Sequence, residues 1–282
     1  MNNVVKIPSR LLLFCGVLVG VLSCLSGCNP PDTPESEIKS PPSITTWWTP
    51  QPGQTWQIQY VGEIITAIDV DIINLDLFET TPQDIQYWKN RGVRVICYLN
   101  AGAWEDWRSD HDAFPEGILG NEYEGWPGER WLDIRRIDLL APIMIARLNL
   151  CAQKGFDGVD PDNIDGYMNE TGFPLSADDQ LTYNRWLAEQ AHQCGLAIGL
   201  KNDPDQVQDL VDIFDWIITE NCFYEEWCDL LIPFIQENKP VLDIEYTDNQ
   251  IQLIDFCNQA SALSIDAILK HLNLDAWQEA CP

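Results

Sequence analysis

Residues 155–167, GFDGVDPDNIDGY, hold the fold in miniature. Gly155 follows a helical stretch from Pro142 to Lys154 and stops it, because glycine readily takes the left-handed conformation that ends helices. Gly158 to Asp160 reads as a short strand, and acids stand at its carboxyl end as Asp160 and Asp162. The same rhythm recurs outward in both directions, with Gly92 and Gly195 in the same helix-stopping place. Short β-branched runs fall at Trp56 to Tyr60, Val70 to Leu77, Val93 to Leu99, Ala197 to Leu200, Trp216 to Thr219, Val241 to Glu245 and Ala267 to Leu269. Helical stretches separate them at Thr81 to Arg91, Ala177 to Gln193 and Asp203 to Leu210, and Pro142 and Pro204 suit first-turn positions. Alternation of this kind is the pattern of a parallel sheet covered by helices. Eight strands predict an α/β fold, a TIM-like (β/α)8 barrel in one domain. Ala101 to Arg136, rich in Trp, Gly and Pro, is too long for a simple connection. It is expected to be an insertion after the third strand that carries part of a binding cleft.

Upstream, Lys6 and Arg10 precede the apolar run Leu11 to Leu22, and Leu25-Ser26-Gly27-Cys28 closes a small-residue stretch. Residues 1–27 therefore read as a signal peptide, too short for a stable membrane span. The Leu-Ser-Gly-Cys tetrapeptide looks like a bacterial lipobox, which makes Cys28 the expected lipidation site. Residues 28–44 are rich in Pro, Ser and acid, too poor in apolar surface to offset chain entropy, and read as a disordered tether. Residues 45–282 remain as the folded domain. The expected protein is exported, lipid-anchored to the bacterial cell envelope and monomeric, touching membrane only through that lipid.

Ten cysteines are present, and Cys15, Cys24 and Cys28 belong to the export segment. The other seven face an oxidising compartment, where pairing is expected with one thiol left over. Spacing suggests Cys222 with Cys228 and Cys257 with Cys281. Cys151 and Cys194, each near a helix end, are paired in this reading, leaving Cys97 in an apolar strand. No Cys-x2-Cys cluster points to zinc. The 44 Asp and Glu against 16 Lys and Arg give a formal net charge of −28, a surface that repels nucleic acid and attracts polycations.

In a βα barrel the active site lies at the carboxyl ends of the strands. Asp76, Asn100, Asp160, Asp162, Lys201, Asn202, Glu220, Glu245 and Tyr246 occupy those ends. Solubility alone scatters acids over helix faces, whereas these follow apolar runs at strand after strand. Two opposed carboxyls are what glycosidic hydrolysis needs, one at the anomeric carbon and one protonating the leaving oxygen. Asp162 and Glu220 end the fourth and sixth strands, and Lys201 between them is placed to keep Asp162 ionised. Glu220, if less solvated, keeps its proton longer. Trp47, Trp48, Tyr98, Trp104, Trp107, Trp126 and Trp131 are candidates for stacking on sugar faces, with about half expected to be core instead. Trp88 and Trp186 are assigned to the core. There is no Gly-x-Ser-x-Gly elbow, and only three histidines are present. The run from Asp160 to Gly166 has its third acid and its glycine one place late for a calcium loop.

The phrases AGAWEDWR, GWPGERWLDIR, KGFDGVDPDNIDGY, SADDQLTYNRWLAEQAH, GLAIGLKND and ENCFYEEWC, in that order over nearly all of Thr45 to Pro282, resemble glycoside hydrolase family 114, the endo-α-1,4-polygalactosaminidases. That resemblance implies a TIM-like barrel, no metal and no cofactor, and endo-cleavage of a polysaccharide containing α-1,4-linked galactosamine, a polycation when deacetylated. It places the catalytic acids at Asp162 and Glu220. It places Asp76, Tyr98, Trp131, Asp133, Lys201 and Tyr246, with Asp160, along the sugar cleft. Two positions depart from the family: Asp160 stands where Glu is more common, and Phe156 where Cys is frequent. The competing reading is a non-catalytic carbohydrate-binding lipoprotein on the same barrel. A two-lobed solute receptor fits poorly with one run of eight βα units.

Overall fold

Eight short strands pair in chain order because each is followed by a segment that returns over one face of the sheet. In the computed structural model, which describes residues 46–282, these are β1 (Trp56–Gln59), β2 (Ile72–Asp76), β3 (Arg94–Asn100), β7 (Gly158–Asp162), β8 (Ala197–Lys201), β9 (Trp216–Glu220), β10 (Val241–Tyr246) and β11 (Asp266–Lys270). All pair in parallel, in that order, and β12 (Glu279–Ala280) adds an antiparallel edge to β11. The expected signal peptide, the tether and Cys28 lie outside the described residues.

Side chains alternate across each strand, and the two resulting sets are distinct. One face gathers Trp56, Ile58, Ile72, Ile96, Trp216 and Ile244 with their neighbours into an inner core. The other gathers Ile73, Val95, Cys97, Val159, Ile198 and Ile217 against the covering helices. Trp216 lies across Gly158 and Gly199, whose missing Cβ atoms leave room for its indole inside the curl of the sheet.

The helices are α1 (Pro82–Lys89), α2 (Ile137–Lys154), α3 (Ala177–Gln193), α4 (Val207–Leu210), α5 (Ile232–Gln236) and α6 (Leu253–Leu263). Thr81 and Ser176 start α1 and α3 with capping boxes to Asp84 and Asp179. Gly155 ends α2 at φ 101°. The eight helices of a full (β/α)8 repeat are not all present among the described residues: the β1–β2 connection and the tail after β11 carry none. No β1–β11 ladder closes the sheet either. Side chains bridge that seam instead, through Trp56 Nε1 to the Asp266 carbonyl at 2.8 Å and Lys270 Nζ to Gln57 Oε1 at 2.8 Å.

Pro142 is not in a first turn as expected. It lies inside α2, which begins five residues earlier at Ile137. Burial of Leu140, Ile143 and Met144 against the sheet rewards the longer helix and offsets the hydrogen bond that proline cannot make. Between β3 and α2 the chain forms a three-stranded antiparallel sheet from β4 (Ala103–Glu105), β5 (Leu119–Glu122) and β6 (Glu129–Leu132), in the order β4-β6-β5. Gly102 permits its first turn, because any Cβ there would collide with the Asn163 carbonyl.

Disulfides join Cys222 to Cys228 and Cys257 to Cys281, as the spacing suggests. The Cys151–Cys194 expectation is wrong. Cys151 bonds Cys97, and Cys194 is the free thiol among the described residues. Cys97 points outward from β3 toward the buried side of α2, whereas Cys194 caps α3. The Cys97–Cys151 bond closes a 54-residue separation and Cys222–Cys228 one of 6. Loop entropy assigns the former about 4 kcal/mol and the latter about 2. Replacing Cys97 and Cys151 together by Ala should therefore lower the urea midpoint more than replacing Cys222 and Cys228, and the reverse order would reject the loop-entropy account.

Candidate active site

Side chains from the carboxyl ends of several strands, Asp76, Tyr98, Asp162, Lys201, Glu220 and Tyr246, meet in an open cleft of about 760 Å³. Asp162, Lys201 and Glu220 end β7, β8 and β9. Each is followed by an asparagine with positive φ, Asn163 at 60°, Asn202 at 51° and Asn221 at 60°. Asparagine tolerates this region better than most side chains, so the chain turns away directly after the charged residue and leaves it at the rim.

Lys201 is 4% exposed and lies between the two acids, with Nζ 3.0 Å from Asp162 Oδ1 and 3.3 Å from Glu220 Oε2. Burial opposes its charge, but Asp162, Glu220 and Asp160 outweigh that and hold its pKa well above the ordinary value. Tyr98 donates to Asp162 Oδ2 at 2.9 Å. Tyr246 donates to Glu220 Oε1, and Asn202 Nδ2 donates to Glu220 Oε2 at 3.1 Å. Burial and neighbouring acids raise the phenol pKa values of Tyr60, Tyr98 and Tyr246, which keeps them donors. Lys201 thus holds both carboxyls, not Asp162 alone. Glu220 is also the more exposed acid, at 27% against 21%, so the condition of lower solvation under which it keeps its proton longer is not met.

Asp160 is one layer deeper, fully buried. Its Oδ2 accepts from Asn74 Nδ2 at 2.7 Å and Tyr60 at 3.0 Å, and burial raises its pKa. It supports the floor and does not line the cleft. Asp76 does line it, but its carboxylate is held by Arg108 at 2.8 Å and by the amides of Phe78 and Glu79. Trp131 and Asp133 are outside the cleft. Trp131 is buried behind Tyr123, ring centroids 4.5 Å apart, and Asp133 is clamped by Arg135 at 2.7 Å. Trp131 follows Glu129 at the strand period, while Leu132 and Ile134 on the other face join the core; of Glu129, Trp131 and Asp133, Glu129 alone is among the cleft-lining residues. Among the aromatics, Tyr98, Trp107 and Trp126 line the cleft, the latter two more than 40% exposed. Trp48 packs on Trp216 and Trp47 on His192, at the opposite end of the strands.

Several cleft residues escaped the sequence reading: Tyr60, Glu105, Tyr123, Glu129 and Asp165. Tyr60 ends the first predicted strand, and that position was a usable signal. The others come from the small sheet or from the loop after β7. Burial and then Asp162 push Asp165 up to about 6; burial, Glu105 and Asp162 push Glu129 up to about 8.

A family model for glycoside-hydrolase family GH114 matches residues 38–282. The chain belongs to that family. The GH114 chain is similar to the Aspergillus fumigatus Ega3 structure solved as a complex with galactosamine, 35% identical, with 84% of this chain and 98% of that one covered and a TM-score of 0.79. It shares its fold with the glycoside hydrolase domain of PelA from Pseudomonas aeruginosa, TM-score 0.63 at 14% identity over 81% and 99% of the two chains. An uncharacterized Deinococcus radiodurans protein is 29% identical over 189 residues, 57% of this chain. That match spans 59% of the Deinococcus protein, less than two thirds of its length.

Proposed function

We propose that this GH114 member is an endo-acting glycoside hydrolase that cleaves α-1,4-galactosaminidic bonds in a cationic galactosamine polysaccharide. The observation that carries this reading is the bridging of Asp162 and Glu220 by one buried Lys201 at the floor of an open cleft. The 35% identity to Ega3, solved with galactosamine, supports the sugar, and the formal net charge of −28 supports a polycation. We read the curled sheet as a TIM-like barrel whose β1–β11 seam is held by side chains. Residues 45–282 form the catalytic domain. The three disulfides support export, with residues 1–27 as signal peptide, 28–44 as tether and Cys28 as lipid anchor.

Asp162 Oδ1 and Glu220 Oε2 touch the same Lys201 Nζ at 3.0 and 3.3 Å, a closeness that we read as favouring the roughly 5–5.5 Å pairing of retaining glycosidases over the roughly 6.5–9.5 Å of inverting ones. In the first step Asp162 bonds the anomeric carbon as the glycosidic C–O bond breaks, and the leaving oxygen takes a proton from Glu220. In the second, water attacks that carbon, gives a proton to Glu220 and releases Asp162. Tyr98 and Lys201 hold the attacking carboxylate in line, while Tyr246 and Asn202 fix the other. Trp107 and Trp126 offer faces for neighbouring sugars.

The test is incubation of the soluble domain with deacetylated and with N-acetylated α-1,4-galactosamine polymers. Mass spectrometry should show oligosaccharides from the deacetylated polymer, and NMR of the earliest products should show the α-anomer. A first-formed β-anomer would replace the double displacement by a single one. Release from neither polymer would leave the barrel as a carbohydrate-binding module.

A further inference from the structure

Two acids stand on the helix-facing side of β10, where the strand beside it carries Ala267 and Leu269. Leu242, Ile244 and Tyr246 face the inner core, so Asp243 and Glu245 point the other way, away from the cleft. Both are fully buried. The charged groups that act on them most are acids too, Glu220 at the end of β9 and Glu225 in the loop beyond it.

Half of each carboxyl is occupied. Asp243 Oδ1 accepts from Thr219 Oγ1 at 2.9 Å and from the Cys222 amide at 3.4 Å. Glu245 Oε1 accepts from the amides of Phe223 at 2.7 Å and Tyr224 at 3.2 Å. These amides belong to the loop that leaves β9 directly after Glu220 and lends Asn221, Glu225 and Trp227 to the cleft. The other half, Asp243 Oδ2 and Glu245 Oε2, is buried with no partner. Two ionised carboxylates there would repel and leave both atoms unsatisfied. One proton between them satisfies both, since a protonated carboxyl donates and its neighbour accepts.

We propose that Asp243 and Glu245 share one proton through those two oxygens and thereby position the loop that sets Glu220 and Trp227 in the cleft. The importance of Glu220 rests on the hydrolase reading above, whereas the shared proton does not. Neither acid touches the cleft, so both are positioning residues. Burial and then Glu245 raise the proton affinity of Asp243, and burial raises that of Glu245 against the pull of the Phe223 and Tyr224 amides. The pair therefore titrates as a unit, above the ordinary carboxyl range. Above that range the unfolded chain has released a proton that the folded pair keeps, so stability falls as the pH rises toward the folded value. Beyond it two charges face each other and the amides held by Glu245 come loose.

Carbon-13 NMR of the aspartate and glutamate carboxyls in the full chain, assigned through the backbone, reads the pair without turnover. At pH 7 Asp243 and Glu245 should hold one proton between them and lose it together at higher pH. Two ionised carboxyls at pH 7 overturn the proposal, a result that stands even where a variant fails to fold. Asp243→Asn and Glu245→Gln each supply an amide N–H in place of the proton. In both, the Phe223 and Tyr224 amide signals should stay in place and no longer respond to alkaline pH. The double variant sets one amide N–H against another. It should displace those signals and lower kcat/KM on deacetylated galactosamine polymer about tenfold or more relative to either single variant. A loss equal to the sum of the two single losses overturns the proposal, because independent packing roles add. The two readings fail separately: polymer cleavage by a wild type with both carboxyls ionised at pH 7 removes the pair and keeps the enzyme, whereas a protonated pair in a wild type that cleaves no polymer removes the enzyme.

Discussion

Asp162→Asn and Glu220→Gln should each lower hydrolysis of deacetylated galactosamine polymer by about 10²–10⁴-fold while changing its affinity little. Both replacements keep the shape of the side chain and its place at a strand end. The amide introduced by Asp162→Asn still accepts from Tyr98 or Lys201 but is a poor nucleophile. The one introduced by Glu220→Gln still accepts from Tyr246 but has no proton to exchange. Cleft aromatics such as Trp107 and Trp126 remain, so polymer is still held. The two variants should separate kinetically. Azide, a small nucleophile, should restore turnover in Asp162→Ala by filling the space of the missing carboxylate. In Glu220→Ala it should help only with substrates whose leaving groups need no protonation. Either isosteric variant with wild-type turnover would strip that residue of its role.

The second large effect is on the fold. Lys201→Met should destabilise the domain by about 3–5 kcal/mol, the usual cost of removing one partner from a buried ionic cluster. Methionine fills the same length, so little of this is lost packing. The cost arises because Asp160, fully buried, and the partly buried Asp162 and Glu220 lose the cation between them. Lys201 has its folded pKa raised above the unfolded value of about 10.4. Its stabilisation is therefore complete below that unfolded value and is lost only as the pH rises through the folded one. In Lys201→Met the stranded carboxyls gain by protonation, so the deficit measured by urea melting should shrink from pH 7 to pH 4. A midpoint equal to wild type at pH 7 would show that solvent reaches this cluster and already screens it.

The same cluster shows how far local reading of the chain extends. Asp162, Lys201 and Glu220 were legible because each closes an apolar run, and a strand end in a parallel sheet has one place to be. The neighbouring acids were not. Glu245 stands one residue before Tyr246, yet Tyr246 reaches Glu220 while Glu245 points the other way and accepts from the Phe223 and Tyr224 amides. Both faces of this sheet are buried, so hydrophobic alternation does not distinguish the inner set from the outer. Trp131 and Asp133 share a strand face with Glu129, and which of the three reaches the cleft depends on how far along β6 the cleft lies, set by the pairing of β6 with β4 and β5. Glu129, on the same strand, was overlooked although it lies in the cleft.

Local chemistry along the chain determined the α/β class, the eight strands, the helix stops at Gly92, Gly155 and Gly195, and the charged residues that end β7, β8 and β9. These depend on backbone preferences and side-chain periods that act within a few residues. Tertiary structure decided the Cys97–Cys151 bond, the side-chain seam between β1 and β11, the start of α2 ahead of Pro142 and the pairing of Glu105 on β4 with Glu129 on β6. Each of these joins residues far apart in the chain or rewards burial by a distant surface, so it exists only once strand register has placed them together.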